Sequence, residues 1–228
     1  VKGRLLGRYS TVNNELSSHL NVSFSKNNFY SISSFSVNKF NSLKMGKYGP
    51  SDYLCNDFVS RINGKDTIIK NPNPLFQKPS AYSQLNLMQK FGYKLNDNIE
   101  ILYGFHYSSS SNFDRYDRHL RRSNSIPVYA EWYYGPQKWL MNNLKIISSN
   151  DSVLYDQLVV TIAHQYFEES RITRNYNDNY RKIRKENVNA LSGNIDLTKN
   201  ISPKNVLTYG AEMIHNYVIS TGQEEHIQ

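Results

Sequence analysis

Between Ala81 and Tyr107 apolar and polar residues alternate with period two, the spacing of a strand and not of a helix. Ala81, Ser83, Leu85, Leu87, Phe91 and Tyr93 share one side of a first arm, against Tyr82, Gln84, Asn86, Met88, Lys90 and Gly92. In a second arm Ile99, Ile101, Tyr103, Phe105 and Tyr107 alternate with Glu100, Leu102, Gly104, His106 and Ser108. Asn96-Asp97-Asn98 between them has the chemistry of a tight reversal. Each arm holds roughly 10 alternating residues, the length a tilted strand needs to cross a bilayer. The aromatics gather near the arm ends, where an interfacial girdle would lie.

Weaker alternation predicts further strands on both sides. A first strand, beginning near Arg4, ends with Ser18, Leu20, Val22 and Phe24, and a short turn at Ser25-Lys26-Asn27-Asn28 leads into a second from Phe29 to about Phe40. From Asn41 to about Pro79 periodicity vanishes and Gly and Pro punctuate a long connection. Ser108 to Val128 is a second long polar connection, followed by a strand from Glu131 to Ile147 with Pro136 near one end. After a turn at Ser149-Asn150-Asp151-Ser152, Leu158, Val160, Ile162, His164 and Tyr166 share a face. A third long polar connection is expected over Glu169 to Glu186, and the chain closes with strands at about Asn187 to Thr198 and Val206 to Ser220.

The expectation is an all-β, antiparallel, up-and-down transmembrane β-barrel segment of about eight strands, with short periplasmic turns and long extracellular loops in strict alternation. A mean hydropathy of −0.63 with 39% hydrophobic residues does not argue against this, because barrel strands are apolar only at alternate positions. Eighteen Tyr, ten Phe and two Trp suit strands and membrane interfaces. No signal or transit sequence follows Val1, and the polar stretch from Gly222 to Gln228 has no closing strand, so an internal piece of a larger barrel is expected. The single Cys55 excludes an internal disulfide framework and a cysteine-cluster zinc site.

Several short motifs occur in a telling order: Arg61-Ile62-Asn63-Gly64-Lys65-Asp66-Thr67, Asn71-Pro72-Asn73-Pro74, and the hairpin opening from Tyr82 to Lys90. Tyr103-Gly104-Phe105-His106-Tyr107-Ser108, Tyr116-Asp117-Arg118 and Ala130-Glu131-Trp132-Tyr133-Tyr134-Gly135-Pro136 follow. Together they resemble the barrel of TonB-dependent outer-membrane receptors of Bacteroidetes type. The resemblance implies a 22-stranded barrel filled by an N-terminal plug, which imports scarce solutes such as ferric siderophores or cobalamin with energy relayed by TonB. It would make residues 1–228 part of that barrel, with the plug, the TonB box and the remaining strands absent. The partners implied are outer-membrane lipid and lipopolysaccharide, the imported solute, and the TonB complex through the absent N-terminal segment. A passive porin-like barrel shares every strand signal, and a soluble β-rich carbohydrate-binding module is the alternative that needs no lipid face.

On the barrel reading Ile99, Ile101, Tyr103 and Phe105 would face lipid, and Gln84, Asn86, Lys90, Glu100 and His106 would face the lumen. Tyr116, Arg118, Trp132, Tyr133 and Tyr134 are the candidates for ligand contact, since aromatics offer broad contact area and Arg grips carboxylate or phosphate. An interfacial aromatic belt is the competing reading of the same residues. The net charge of +8 concentrates at Arg115, Arg118, Arg121 and Arg122 and again from Arg171 to Lys185. Arg115, Arg121, Arg122, Arg181 and Arg184 are candidates to contact lipopolysaccharide or another anion, as against a solvated charged loop. No recognition helix, zinc finger or RNA-binding motif accompanies these charges, so nucleic acid is not an expected partner.

Catalysis finds little support. The six His residues show no metal-ligand spacing, and neither a G-x-S-x-G elbow nor a P-loop is present. Asp114 with Asp117 and Glu168 with Glu169 are read as solvated or salt-bridged pairs. No enzyme activity, metal or cofactor is expected.

Overall fold

A computed structural model describes residues 1–227. Three strands open the chain: β1 (Lys2–Ser10), β2 (Glu15–Lys26) and β3 (Phe29–Phe40). A long connection then carries β4 (Leu43–Lys44), the hairpin β5 (Asp57–Ile62) and β6 (Lys65–Lys70), and β7 (Phe76–Gln77). The predicted hairpin is β8 (Tyr82–Lys94) and β9 (Ile99–Ser110). A second connection holds β10 (Phe113–Asp114), a single helical turn α1 (Tyr116–His119), β11 (Arg122–Ser123), β12 (Ile126–Pro127) and β13 (Tyr129–Tyr134). The chain ends with β14 (Lys138–Ser149), β15 (Gln157–Asn175), β16 (Tyr180–Ser202) and β17 (Asn205–His226).

Eleven of these strands form one antiparallel sheet in the order β1-β2-β3-β8-β9-β14-β15-β16-β17, with β13 and β10 attached to the upper part of β15. β10 and β13 continue the lines of β9 and β14, so the sheet is nine strands wide and each strand pairs with its neighbour in the chain. The up-and-down order follows from the tight turns at Asn27-Asn28 and at Leu95 to Asn98, where the Asn96 side chain accepts from the Asn98 and Ile99 amides at 2.9 Å. The sheet does not close, since among the described residues β1 and β17 each have one edge without a strand partner. No described helix is long and apolar enough to cross a membrane.

Four expectations need correction. The single strand expected from Glu131 to Ile147 is β13 and β14, parted at Gly135-Pro136-Gln137, and the polar end from Gly222, expected to hold no closing strand, is part of β17 as far as His226. The expected first strand is two strands, broken at Thr11–Asn14, where Asn14 takes a positive φ of 46° that asparagine tolerates. The third long connection, Glu169 to Glu186, is instead the tall end of the β15–β16 hairpin, reversed at Tyr176–Asn179 with Asn177 at φ 60°. Its residues stay in register because their charges have partners on the sheet surface, which polarity alone does not reveal. Long and short connections therefore do not alternate strictly. Both long ones do lie at the same end of the sheet, here named the loop end, together with the two tight turns at Thr11–Asn14 and Tyr176–Asn179.

Register sorts the side chains onto two unlike faces. The row Leu5, Leu20, Phe35, Leu87, Tyr107, Leu140 and Tyr166 crosses seven strands on one face. The adjoining row is mixed, with Gln89, Asn142 and His164 around Phe105, and beyond it apolar rows resume through Phe91, Tyr103, Leu144 and Ile162, and through Tyr93, Ile101, Ile146, Val160, Ile195 and Ala211. On this face the apolar side chains stand open, with Leu5 77% and Met213 74% exposed. The apolar zone stops towards the loop end at Glu168, which pairs with Lys138 and Lys185. The other face carries Ser, Asn, Gln, Lys and small residues, and includes all five residues assigned to a lumen: Gln84, Asn86, Lys90, Glu100 and His106. On it Tyr30 lies flat over Gly92, where an added Cβ would meet the ring at 2.1 Å, and its hydroxyl donates to Glu100 at 2.8 Å.

Candidate functional site

The loop-end aromatics are placed by one extra residue. Tyr134 pairs with Arg171 and Lys138 with Glu168, so Gly135-Pro136-Gln137 bulges opposite Glu169 and Ser170. The Gly135 amide donates to the Ser170 carbonyl at 2.8 Å, and the Ser170 hydroxyl donates back to the Gly135 carbonyl at 2.6 Å. Gly135 has φ +102°, and a Cβ there would sit 2.9 Å from the Ser111 carbonyl oxygen, so glycine alone fits. Because side chains alternate strictly along a strand, the bulge moves Trp132 and Tyr134 onto the polar face and Tyr133 onto the apolar one.

Trp132 and Tyr134 then end a row of rings on the polar face. Phe40 and Tyr82 lie 4.7 Å apart between centroids, Tyr82 and Phe113 6.3 Å, Phe113 and Tyr134 5.7 Å, and Tyr134 meets Trp132 edge-on at 5.1 Å. The guanidinium groups of Arg115 and Arg118 sit over the Trp132 ring at 5.3 and 5.5 Å, a cation–π pair that leaves Trp132 only 8% exposed. Arg115 also grips Asp117 with two donors at 2.7 and 2.9 Å, and these bonds hold the Asp117 carboxyl below its ordinary range. Tyr116 points elsewhere: its hydroxyl donates to the Tyr53 carbonyl at 2.8 Å, and burial pushes its pKa up. It joins the second long connection to the first.

Tyr133, on the opposite face, borders an ion network. Arg174 donates to both Asp66 oxygens at 2.7 and 2.9 Å and to Glu131 at 3.0 Å. Arg181 reaches Glu131 at 2.6 Å and Glu225 at 3.2 Å, and the Asn177 amide donates to Asp66 at 2.8 Å. The Asp66 and Arg174 side chains are 0% and 2% exposed, so the β5–β6 hairpin is clamped to the tall β15–β16 end by a fully desolvated pair. Burial pushes the Asp66 carboxyl up, but the Arg174 and Asn177 hydrogen bonds outweigh it and hold it below the ordinary range. The same balance, with Arg181 and Arg174 as partners, lowers Glu131.

Of the five ligand candidates, the structure gathers Arg118, Trp132 and Tyr134, ties Tyr116 into the loops and turns Tyr133 to the other side. Of the five anion candidates, Arg115, Arg122 and Arg181 are bonded to Asp117, Asp57 and Glu131. Arg121 is exposed beside the turn at Arg118, and Arg184 is exposed on the polar face. Arg184 faces Arg171 directly across β15 and β16, and Glu186 faces Glu169 in the adjoining row. With Tyr134 these four charges line a hollow of about 150 Å³. Arg171, Glu169, Glu186, Phe40, Tyr82 and Phe113 were not singled out as site residues from the sequence. The one available signal was the spacing Glu169-x-Arg171 and Arg184-x-Glu186, a mirror pair once the reversal at Tyr176–Asn179 is located. Among the described residues no group of three or more His, Cys, Asp or Glu is placed to hold a metal ion. No protein-family model matches the chain, and a search of curated proteins finds no match.

Proposed function

We propose that the chain is part of the wall of an outer-membrane β-barrel receptor, taking up a scarce solute by TonB-coupled transport. The observation that carries the membrane part is a largely apolar face over nine strands, crossed by one polar row at Gln89, Asn142 and His164 and backed by a polar face. From Ile99 to Tyr107 the face runs about 27 Å along the strand at ~3.4 Å per residue. At a tilt of ~40° that gives roughly 21 Å of height, close to the ~25 Å apolar band of outer-membrane barrels. A water-soluble protein rarely exposes an apolar patch beyond a few hundred Å². Lipid leaves no backbone group unpaired, so further strands complete the sheet at the edges of β1 and β17. The two long connections sit at the end that would be extracellular, and the turns Asn27-Asn28 and Leu95–Asn98 at the periplasmic end.

Receptor rather than passive pore rests on the motif resemblance and on the loop-end side chains packed on the polar face. The test of placement uses cysteines introduced at Tyr48, 101% exposed in the first long connection, and at Asp97 in an opposite turn. Both go into a Cys55→Ser background of the parent protein, although Cys55 itself is 1% exposed and a poor reporter. An impermeant maleimide on intact cells should label position 48 and leave 97 untouched until lysis. Labelling of neither, with the protein in the soluble fraction, overturns the membrane reading. Solute uptake that persists after TonB is deleted overturns the active-transport reading.

A further inference from the structure

On the polar face at the loop end, β15 and β16 oppose like charges in two successive rows. Arg171 faces Arg184, and Glu169 faces Glu186. Directly opposed side chains have Cβ atoms about 5 Å apart, and like charges there repel. An ordinary surface would relieve this by pairing Glu with Arg along or across the strands. Among the described residues none of the four forms an ion pair, although nearby charges on the other face of the same strands are paired. Glu169 takes a hydrogen bond from the Gln137 side chain, brought there by the Gly135 bulge. The outer neighbours in the arginine row are Tyr134 and Gly222, neither of them an acid. An added Cβ at Gly222 would meet nothing within 4 Å, so that flank is open.

We propose that this hollow binds a zwitterionic solute, its carboxylate held between Arg171 and Arg184 and its ammonium between Glu169 and Glu186. A carboxylate between two guanidinium groups and an ammonium between two carboxylates replace both repulsions with charge-assisted hydrogen bonds. The rows are two residues apart, about 6.8 Å along the strand. That spacing fits charges at the two ends of a short peptide, since two residues span up to about 7 Å when extended. The volume of about 150 Å³ admits a peptide backbone with small side chains. Tyr134 walls the carboxylate end. The inference rests on the receptor reading only in that the polar face must be reached by an external solute.

The test is calorimetric titration of the full-length parent protein, purified in detergent, with glycylglycine, N-acetylglycine and glycinamide. Glycylglycine, with both charges, is expected to bind at least tenfold more tightly than N-acetylglycine or glycinamide, each of which keeps one. Arg171→Gln with Arg184→Gln should weaken glycylglycine tenfold or more, and so should Glu169→Gln with Glu186→Gln. The second variant should leave N-acetylglycine binding equal or better, a readout that loss of folding would not produce. Arg184→Lys, which keeps the charge, should retain most of the glycylglycine affinity. Equal affinity for glycylglycine and N-acetylglycine, or binding of none of the three, overturns the proposal. Surface labelling at position 48 is read separately, so a surface-exposed protein that binds no zwitterion fails this inference alone.

Discussion

The two faces of the β15–β16 end hold similar residues in opposite arrangements. On one face Asp66, Glu131, Arg174, Arg181 and Glu225 interleave so that each charge meets its opposite, and the central pair is buried. On the other, Arg171 meets Arg184 and Glu169 meets Glu186, and all four stay open to a hollow. Arg174 and Arg181 of the first set lie on the same two strands, β15 and β16, as all four of the second, while Asp66, Glu131 and Glu225 come from β6, β13 and β17. The paired set clamps a loop hairpin to the sheet, whereas the unpaired set leaves its charges available to something else. Charge on a strand is thus neither structural nor functional by itself; the partner across the ladder decides.

The largest effect should come from breaking the clamp. Arg174→Leu leaves the buried Asp66 carboxylate with only the Asn177 amide at 2.8 Å and the more distant Arg61 at 3.5 Å, and should cost about 3 kcal/mol. Thermal unfolding in detergent and proteolysis within residues 57–70 would record it, the hairpin being cut much faster. Arg184→Leu, one strand away on the open face, should stay within about 0.5 kcal/mol of the parent. Similar losses in both would erase the distinction between the faces.

A smaller effect tests what separates them. Gly135→Ala should cost about 1–3 kcal/mol, because it combines a positive φ with a Cβ 2.9 Å from the Ser111 carbonyl oxygen. It should also disturb the side to which Trp132 points, read as a red shift of tryptophan fluorescence relative to Trp139→Phe and parent controls. No change in stability would mean that the bulge tolerates a side chain.

The pH dependence should be the mildest of the three. Asp66 and Glu131 have folded pKa values below their ordinary ones. Their contribution is therefore fully present above the unfolded values, near pH 4, and is lost as pH falls through the lowered folded values. Proteolysis of residues 57–70 should stay slow above about pH 5 and accelerate in acid. In Asp66→Asn the rate should be high throughout and less dependent on pH. A clamp equally tight well below pH 4 would show that these carboxylates do not hold it.

The β8–β9 hairpin is legible almost residue for residue, because its alternation is interrupted only at Met88, Gln89 and Leu102 and Asn96 closes the turn locally. The break at Thr11–Asn14 was missed, since no apolar pattern marks either side of it strongly. From sequence alone the β15–β16 extension resembles a loop, because its residues are charged and their partners lie far away in the chain: Arg174 with Asp66, and Arg181 with Glu131. Of the candidate ligand residues, Arg118, Trp132 and Tyr134 lie together in the structure. Tyr133 was grouped with them because adjacency in sequence hides the opposite faces of a strand.

The sequence by itself determined an all-β chain, an apolar side for most of its strands, and the position of both long connections, because period-two alternation and Gly/Pro punctuation are local properties. Tertiary structure decided which ends were loops, which face the loop-end aromatics took and which charges found partners. A single bulged residue at Gly135 reverses the faces of everything beyond it, and cross-strand register sets each charge against its neighbour. Both depend on contacts between residues far apart in the chain.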